Sequence, residues 1–358
     1  MAKIKDIIHK LQLEKAKVGT SPYIEIGDVD TKTKKITEKE KPSVSGAIIA
    51  PAKSILVSKV RPTRGAIALL TDTRAVSGGF SILKPKEEIC LPDYLYYQLA
   101  WNPEFHSYLG SRAIGATYPT IKEKDILKYE IRNLPNVKEQ LRIVALLKEA
   151  ETLKKKRAEA NQKMDALISA LFNRAFGDVV ANDKQWPIVK FSEIGKSRLG
   201  KMLDAKQQTG KNRRLYLRNA NVQWDKIELH DLLEMDFSEK EREEFRLRYG
   251  DLLICEGGEI GRAAIWKDEI TECYFQKALH RVRLNPSLAT PEFVLYFLKS
   301  LATSGFHAYT SGTATIAHLT GVQLASIRVP LPPIDLQNQF TDKAKGIETC
   351  REKQKEST

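Results

Sequence analysis

A run of basic side chains lies between positions 196 and 218 of this 358-residue chain, which carries a net charge of +13. Side chains of one sign repel one another unless phosphates neutralise them, so this segment favours contact with a nucleic acid. A merely solvated basic surface is the alternative. Against the single acid Asp204, the segment holds Lys196, Arg198, Lys201, Lys206, Lys211, Arg213, Arg214 and Arg218.

Known catalytic motifs are missing from the sequence. It contains no G-x-x-x-x-G-K-[ST] phosphate loop, no G-x-S-x-G nucleophile elbow and no H-E-x-x-H metal motif. Residues 102–105, Asn-Pro-Glu-Phe, faintly resemble the Asn-Pro-Pro-Tyr/Phe loop of adenine methyltransferases, but Glu104 replaces the second proline. The histidines lack ligand spacing, so we expect no metal and no cofactor. The chain is expected to bind rather than to catalyse.

The cysteines and the apolar residues indicate the cellular compartment of the protein. Cys90, Cys255, Cys273 and Cys350 form no Cys-x-x-Cys pair, a pattern typical of reduced thiols. No apolar run approaches the ~18 residues of a membrane span. The N-terminus lacks the apolar core of a signal peptide. We therefore expect a cytoplasmic protein that contacts no membrane.

The segments that would position these side chains occur twice. Leu-Pro-x-x-x-x-Gln at residues 134–140 returns at residues 331–337, 197 positions later. In the same order, residues 23–24, 92–99 and 115–117 correspond to residues 216–217, 291–298 and 312–314. This period is far too long for a solenoid or a propeller. It indicates two copies of one domain, each followed by a helix.

Each copy combines short strands with a helix, so the predicted fold class is α+β. Residues 47–50, 54–58 and 65–70 predict strands, and residues 251–255 and 262–266 repeat the hairpin. Residues 91–101 and 291–301 predict amphipathic helices that have proline near the start, where it is tolerated.

A single long helix is predicted between the copies. Apolar residues from Ile143 to Leu171 recur in alternating steps of three and four, the spacing of a coiled-coil seam. We expect a helix from Lys138 to Phe176, ended at Gly177, of roughly 58 Å at 1.5 Å per residue. The residues predicted to pack between helices are Ile143, Leu146, Ala150, Leu153, Ala160, Met164, Leu167 and Leu171, with Phe340, Ile347 and Cys350 from the second copy.

The partner of this seam stays open from the sequence alone. The second copy's helix, antiparallel to the first, is the expected partner, and self-dimerisation of the chain is the alternative. The second helix stops at Thr358 after about three heptads. Either the chain is truncated, or this helix pairs with only part of the first.

Taken together, these residues resemble the DNA-specificity (S) subunits of type I restriction–modification enzymes. The resemblance covers nearly the whole chain and rests on the duplicated Leu-Pro-x-x-x-x-Gln and on residues 55–62, 75–80, 172–178 and 186–191. It implies two homologous target recognition domains, at 1–136 and 178–334, separated by long antiparallel coiled-coil helices at 137–177 and 335–358. Such a chain has a pseudo-two-fold internal repeat.

The resemblance also implies a function without catalysis. Each recognition domain would read one half of a split double-stranded DNA target, while the helices set the gap and dock methyltransferase (M) subunits. Restriction/motor (R) subunits would join through that complex. The alternatives are a non-catalytic coiled-coil scaffold and a dimeric DNA-binding protein without methyltransferase partners.

The candidate DNA-binding residues are side chains that can reach base edges or phosphates. Arginine pairs with guanine and asparagine or glutamine with adenine, whereas lysine and arginine clamp phosphates. Loops 112–118 and 311–315 are the strongest candidates, because a glycine in each permits close backbone approach. A solvated or structural role is the alternative for each residue. The first copy offers Lys59, Arg61, Arg64, Arg74, Ser77, Arg112, Thr117 and Tyr118, and the second offers Lys201, Lys211, Arg213, Arg218, Asn219, Glu256, Arg262, Lys277, His280, Ser311, Thr313 and Thr315.

Overall fold

The computed structural model describes residues 2–19, 22–37, 41–204, 208–304 and 318–356. The chain divides into two compact units, Met1–Lys156 and Arg157–Thr358. Both units combine short strands with helices, so the predicted α+β class is confirmed. The predicted long helix is also present, as one uninterrupted element that begins in the first unit and ends in the second.

In its described residues, the first unit contains three small sheets with the strand orders β5-β4-β7, β2-β6-β3 and β1-β8. Its strands are β1 (Ala2–Lys3), β2 (Tyr23–Ile24), β3 (Ile48–Ala50), β4 (Ile55–Ser58), β5 (Ile67–Leu69), β6 (Arg74–Val76), β7 (Phe80–Leu83) and β8 (Glu130–Ile131). Its helices are α1 (Ile4–Ile7), α2 (Pro92–Ala100), α3 (Pro103–Arg112), α4 (Glu123–Ile126) and the first part of α5 (Val137–Phe176).

Strand β4 lies at the centre of this unit because it is apolar on both faces. Ile55 and Val57 pack into the core that holds residues of α2, α3 and α5. Leu56 points the other way, into the core that includes residues of β2, β3 and β6. Since successive side chains of a strand face opposite sides, a strand between two cores needs an unbroken apolar run.

The part of the second unit that the structure describes contains four small sheets with the orders β10-β18-β15-β16, β14-β11-β17, β12-β13 and β19-β9. Its strands are β9 (Ile188–Lys190), β10 (Gly195–Leu199), β11 (Arg213–Leu217), β12 (Val222–Gln223), β13 (Lys226–Ile227), β14 (Leu233–Asp236), β15 (Leu252–Cys255), β16 (Ala263–Ile265), β17 (Tyr274–Phe275), β18 (Leu279–Leu284) and β19 (Arg328–Pro330). Its helices are α6 (Phe191–Ile194), α7 (Glu239–Phe245), α8 (Pro291–Ser304), α9 (Gly321–Ser326) and α10 (Ile334–Glu356), besides the last part of α5.

Strand pairing confirms the internal repeat. β4 pairs antiparallel with β5 and β7, and β15 pairs antiparallel with β16 and β18. Each unit also has a short parallel pair, β2 with β6 in the first and β11 with β17 in the second. β15 repeats the alternation of β4, because Leu252 and Ile254 enter one core while Leu253 and Cys255 enter another. The two copies therefore share one architecture.

A buried glutamine explains why Leu-Pro-x-x-x-x-Gln occurs twice. The Gln140 Oε1 atom accepts a hydrogen bond from the Leu91 amide at 2.8 Å, just before α2, and its Nε2 donates to the Ile89 and Pro135 carbonyls, both at 2.8 Å. Gln337 repeats all three bonds, accepting from the Thr290 amide just before α8 and donating to the Leu288 and Pro332 carbonyls. One amide side chain thus ties the start of a long helix to the start of a short one.

Helix α10 packs antiparallel on the C-terminal part of α5. Phe340, near the start of α10, contacts Phe172 and Phe176 near the end of α5, with ring centroids 5.4 and 5.5 Å apart. Arg351, near the end of α10, forms an ion pair with Asp165 further back along α5. The contacts therefore run in opposite directions along the two helices, as expected for an antiparallel pair. On α5, these contacts use Asp165, Phe172 and Phe176, which belong to the final part of the helix.

The end of α5 is defined by a glycine and a tryptophan. Gly177 adopts a φ of +74°, and a Cβ atom there would lie 2.0 Å from Asp183 Oδ1. Its amide donates to the Asn173 carbonyl at 2.8 Å. The Trp186 indole Nε1 donates to the Phe176 carbonyl at 2.9 Å, which satisfies a carbonyl that has no partner within the helix. The predicted stop at Gly177 is confirmed.

The packed face of α5 differs from the predicted seam. Leu146, Ala150, Leu153 and Leu167 are exposed, whereas Ile143, Ala160, Met164 and Leu171 are half-buried. The buried apolar positions of α5 are Val144, Ile168, Phe172 and Phe176. A heptad pattern assumes that one partner helix packs along the whole length of the helix. Instead, α5 packs on a domain core near each of its two ends, so a different set of side chains is buried at each end. In α10, Phe340 is buried and Ile347 packs against the same core, while Cys350 is exposed.

We predict that Gln337→Ala lowers the free energy of unfolding of the second unit by about 2–4 kcal/mol. The substitution leaves one amide and two carbonyls without partners in a buried place, and each such loss costs about 1–3 kcal/mol before relaxation. The exposed Gln339, two residues along the same helix, provides the control: Gln339→Ala should change stability by less than about 0.5 kcal/mol. Urea unfolding followed by tryptophan fluorescence measures both. Equal losses for the two variants would contradict the role given to Gln337.

Candidate nucleic-acid interface

In the first unit, most of the predicted DNA-binding residues lie near the end of β4. Lys59 directly follows this strand, and its backbone is held on both sides. Its amide donates to the Gly79 carbonyl at 2.8 Å, and its carbonyl accepts from the Ile121 amide at 2.9 Å. These bonds bring together segments that lie far apart in sequence. The Lys59 side chain is half-exposed and leaves a rigid backbone.

Arg61 is the most firmly positioned of these side chains. It has a φ of +46°, a left-handed conformation that few residues other than glycine adopt. Its amide donates to the Pro119 carbonyl at 2.7 Å, which holds that conformation in place. Its guanidinium lies over the Tyr118 ring at 4.2 Å from the centroid. Because Tyr118 is 64% exposed, the stacked pair is presented to solvent.

Loop 112–118 is a tight turn that places Tyr118 beneath Arg61. Ile114 and Thr120 exchange two main-chain hydrogen bonds of 2.9 Å, which close the turn. Gly115 has a φ of +111°, and a Cβ atom there would lie 3.1 Å from the Tyr118 carbonyl oxygen. The glycine is therefore required by the turn itself. Thr117 is exposed at the tip of this turn.

Two further arginines flank the stacked pair. Arg64 ends the 3₁₀ turn Pro62–Arg64 that begins next to Arg61, and its side chain is exposed. This turn packs on α3, where Gly110 lies against Thr63. Arg112, the last residue of α3, is exposed and rests 5.2 Å from the Tyr108 ring centroid. Four cationic side chains therefore belong to the end of β4 and to loop 112–118, where Arg61 lies over Tyr118 and Arg112 lies over Tyr108. They are Lys59, Arg61, Arg64 and Arg112.

Arg112 also lines an open groove that the sequence did not reveal. The groove has a volume of ≈ 1040 Å³, and its lining includes Lys3, Lys5, Lys128 and Arg132. These residues come together because β1 pairs with β8, across about 130 positions of sequence. No local signal in the sequence reports such a long-range pairing. Glu104 and Glu130 also line the groove and form ion pairs with Arg132 and Lys3. The lining therefore carries a smaller net positive charge, which lies beyond the predicted loops.

Ser77 and Arg74 are placed differently, although both belong to or follow β6. The Ser77 hydroxyl accepts a hydrogen bond from the Gly79 amide, in the turn that also holds Lys59. Arg74 forms an ion pair with Asp72 at 2.9 Å and lines a separate cavity, together with Tyr96, Tyr97 and other residues. Ser77 thus lies beside the cluster, whereas Arg74 belongs to another surface.

The second unit repeats the strand-end geometry around Glu256. The Glu256 amide donates to the Ala278 carbonyl at 2.9 Å, and its carbonyl accepts from the Leu319 amide at 2.6 Å. These are the same two bonds that hold Lys59. Lys277, next to Ala278, is exposed. We call this pair of main-chain hydrogen bonds the strand-end frame. It is the same in the two units, but the residue that it holds in the second unit carries a carboxylate.

Several polar side chains of the second unit support the loop after β15. Arg262 donates to the Asn219 Oδ1 atom at 2.7 Å, and Asn219 donates to the Gly257 carbonyl at 2.8 Å. Arg218 forms an ion pair with Asp231 at 2.6 Å. All three residues keep some exposure, so direct contact with DNA stays a prediction for them. Lys211, Arg213 and Lys277 are the exposed cations among the predicted residues of this unit.

Two predicted residues are turned inward, and for them the prediction is wrong. The Lys201 side chain is 10% exposed, and its ammonium group donates to Glu241 and to the Asp236 carbonyl, each at 2.7 Å. His280 is 1% exposed and is hydrogen-bonded to the Leu319 carbonyl at 2.7 Å. Burial lowers the pKa of His280, so the ring is neutral near pH 7. The residue types of Lys201 and His280 suit DNA contact, but their burial could not be predicted from the sequence.

Three other predicted residues, Ser311, Thr313 and Thr315, lie outside the described residues. Within the described ranges, no group of three or more His, Cys, Asp or Glu residues is placed to hold a metal ion. Among the described helices, none is long and apolar enough to cross a membrane. Asn102, from the methyltransferase-like segment, caps α3 by accepting from the Glu104 amide at 2.9 Å. This segment is therefore a helix start.

Comparisons with known proteins agree with this architecture. A chain from a structure on the complex assembly and conformational transition of the type I R-M system has a TM-score of 0.57 and 19% identity, over 99% of this chain and 92% of that chain. The S subunit of the type I restriction-modification system from M. genitalium has a TM-score of 0.60 and 15% identity, over 99% of this chain and 91% of that chain. At these identities the likeness shows a shared fold.

The family comparison covers both copies. The model of the type I restriction modification DNA specificity domain matches residues 1–162 and, a second time, residues 183–350. Each match contains one strand-end frame, around Lys59 in the first and Glu256 in the second. Since the matches span most of the sequence, the chain belongs to the type I restriction modification DNA specificity domain family.

Proposed function

We propose that this chain is the sequence-specificity subunit of a type I restriction–modification complex and that it recognises a bipartite double-stranded DNA target. The observation that carries the proposal is the repeated strand-end frame, which presents Lys59 in one unit and Glu256 in the other. Two copies of one frame with different side chains suit two short blocks of different sequence. We assign these blocks to recognition domains at residues 1–136 and 178–334.

In the first recognition domain, the stacked pair of Arg61 and Tyr118 is the best candidate for base readout. A guanidinium can donate two parallel hydrogen bonds to guanine O6 and N7 in the major groove. Thr117 and Tyr118 share the turn that supports Arg61. Lys59, Arg64 and Arg112 lie around it and suit phosphate contacts. In the second domain, Lys211, Arg213 and Lys277 are suited to the same purpose because they are exposed.

The helices at 137–177 and 335–358 would join recognition to the partner subunits. Leu146 and Leu153 of α5 are 66% and 51% exposed, seven residues apart on one helix face. Exposed leucines at such spacing suit the docking of another protein. We assign this face to methyltransferase subunits, which would carry out the methylation. Restriction/motor subunits would join through them, and this chain would contribute specificity.

Arg61→Lys tests base readout separately from charge. Lysine keeps the positive charge but loses the planar pair of donors. We expect discrimination at one position of the first block to fall by about 1–3 kcal/mol, while the slope of log affinity against log salt stays unchanged. The control is the double variant Lys211→Ala with Arg213→Ala. It should lower the affinity for all DNA sequences alike and reduce the slope of log affinity against log salt. Titrations of labelled duplexes at several salt concentrations measure both. A uniform loss for Arg61→Lys would place Arg61 on phosphate instead.

Replacing Leu146 and Leu153 with glutamine tests the assigned docking face. We expect the variant to fold and to bind DNA non-specifically, but to lose the methyltransferase subunits that accompany the wild-type chain from its own cell. Ala145→Gln with Thr152→Gln is the control, because these exposed residues have the same seven-residue spacing on another face. Affinity purification followed by mass spectrometry distinguishes the two. Failure of the wild-type chain to bring down methyltransferase subunits would favour the scaffold alternative.

The gap between the two blocks should depend on α5. Residues 147–156 are exposed, so extra residues after Lys155 disturb no buried contact. An insertion of four helix-forming residues lengthens the helix by about 6 Å, nearly two base-pair rises of ~3.4 Å. We expect the mapped methylation motif to keep both blocks and to gain one or two unread bases. Altered blocks with an unchanged gap would show that the helix does not set the spacing.

A further inference from the structure

Lys59 and Glu256 occupy the same position in the two units but carry opposite charges. Each residue directly follows the central strand of its unit, and each has its amide and its carbonyl bound by the same pair of neighbouring segments. With both backbone groups held, the side chains leave the two domains at equivalent places. In the first unit this place adjoins the stacked Arg61 and Tyr118. Equivalent geometry predicts that Glu256 also lies at the reading surface of its own unit.

Burial lowers the pKa of His280, and the charge of the nearby Glu256 carboxylate partly opposes that shift, but this interaction leaves the carboxylate itself without a bound partner among the described residues. Among the residues that the structure describes, no side chain donates a hydrogen bond to its carboxylate and none forms an ion pair with it. Glu259, three residues along the same loop, is different, because it accepts from the Trp224 indole and lies 3.5 Å from Arg262. The half-exposed Glu256 carboxylate is therefore available to a ligand.

The loop that follows Glu256 begins with two residues that lack side chains. These are Gly257 and Gly258, and a Cβ atom at Gly258 would have Asn219 Oδ1, 3.8 Å away, as its nearest neighbour. Residues without side chains permit close approach of a ligand to the backbone. The exposed Lys277 adjoins Ala278, whose carbonyl accepts from the Glu256 amide, and it can meet a phosphate. A carboxylate next to glycines and a lysine is better suited to contact the edge of a DNA base than the phosphate backbone of the DNA.

The charge of Glu256 selects the chemical group it can meet. DNA phosphates repel a carboxylate, so an anion at a DNA-reading surface is favourable only where it accepts hydrogen bonds from a base. In the major groove, the exocyclic amino group of cytosine is the donor that Glu and Asp side chains accept from. We infer that Glu256 is a specificity-determining residue that reads the N4 amino group of a cytosine in the block recognised by the second unit. This inference rests on the proposed function.

Glu256→Gln provides the test, because glutamine has nearly the same shape and can pair with adenine N6 and N7. The whole chain, assembled with the methyltransferase subunits of its own cell, is used to select from a randomised duplex DNA library. We expect one position of the second block to change from cytosine to adenine, or to lose its preference by about tenfold or more. The first block should stay unchanged, which also reports that the variant is folded. Glu259→Gln is the matched control and should select the wild-type motif.

Each other outcome counts against the inference in a different way. If Glu256→Gln selects the wild-type motif with unchanged affinity, the carboxylate does not touch a base. If it binds all duplexes more tightly without a change of motif, Glu256 only repels phosphates. If the wild-type complex selects two blocks and neither variant alters them, the inference fails while the proposed function stands. A wild-type complex that selects no sequence overturns both.

Discussion

A glutamine side chain, fully buried at the start of each long helix, forms hydrogen bonds with three main-chain groups around the junction between that helix and its domain. Gln140 and Gln337 each accept from the amide just before a short helix and donate to two carbonyls on either side of the junction. Unpaired buried amides and carbonyls are costly, so this bond set determines the angle at which the helix leaves its domain. The position of each long helix on its own domain depends on that junction.

On this framework, the two units differ where a ligand would meet them. The strand-end bonds around Lys59 and Glu256 involve main-chain atoms only, so these bonds require an amide hydrogen but do not depend on which side chain the residue carries. Residues that hold the loops, such as Asn219 and Arg262, use their side chains internally. This separation between a supporting frame and the presented side chain lets two related domains keep one structure while they offer opposite charges.

The sequence predicted elements that depend on local patterns. Proline near the helix start predicted α2 and α8, and Gly177 predicted the end of α5, because each acts within a few residues. The face of α5 that is buried could not be predicted, since it depends on which core lies against each end. Lys201 and His280 were misjudged for the same reason, because their burial arises from residues about 40 positions away. The basic groove of the first unit could not be predicted, because it depends on a pairing of strands that are far apart in sequence.

The stack of Arg61 on Tyr118 also affects the entropy of binding. A free arginine side chain samples many rotamers and loses that freedom when it is fixed against a base. In this chain the left-handed backbone and the aromatic ring restrict Arg61 before any ligand arrives. The loss of side-chain entropy on binding is therefore smaller at Arg61 than at a freely mobile arginine such as an exposed surface residue. A pre-ordered guanidinium also has little ability to turn towards an alternative acceptor, so rigidity at this one position favours fidelity as well as affinity.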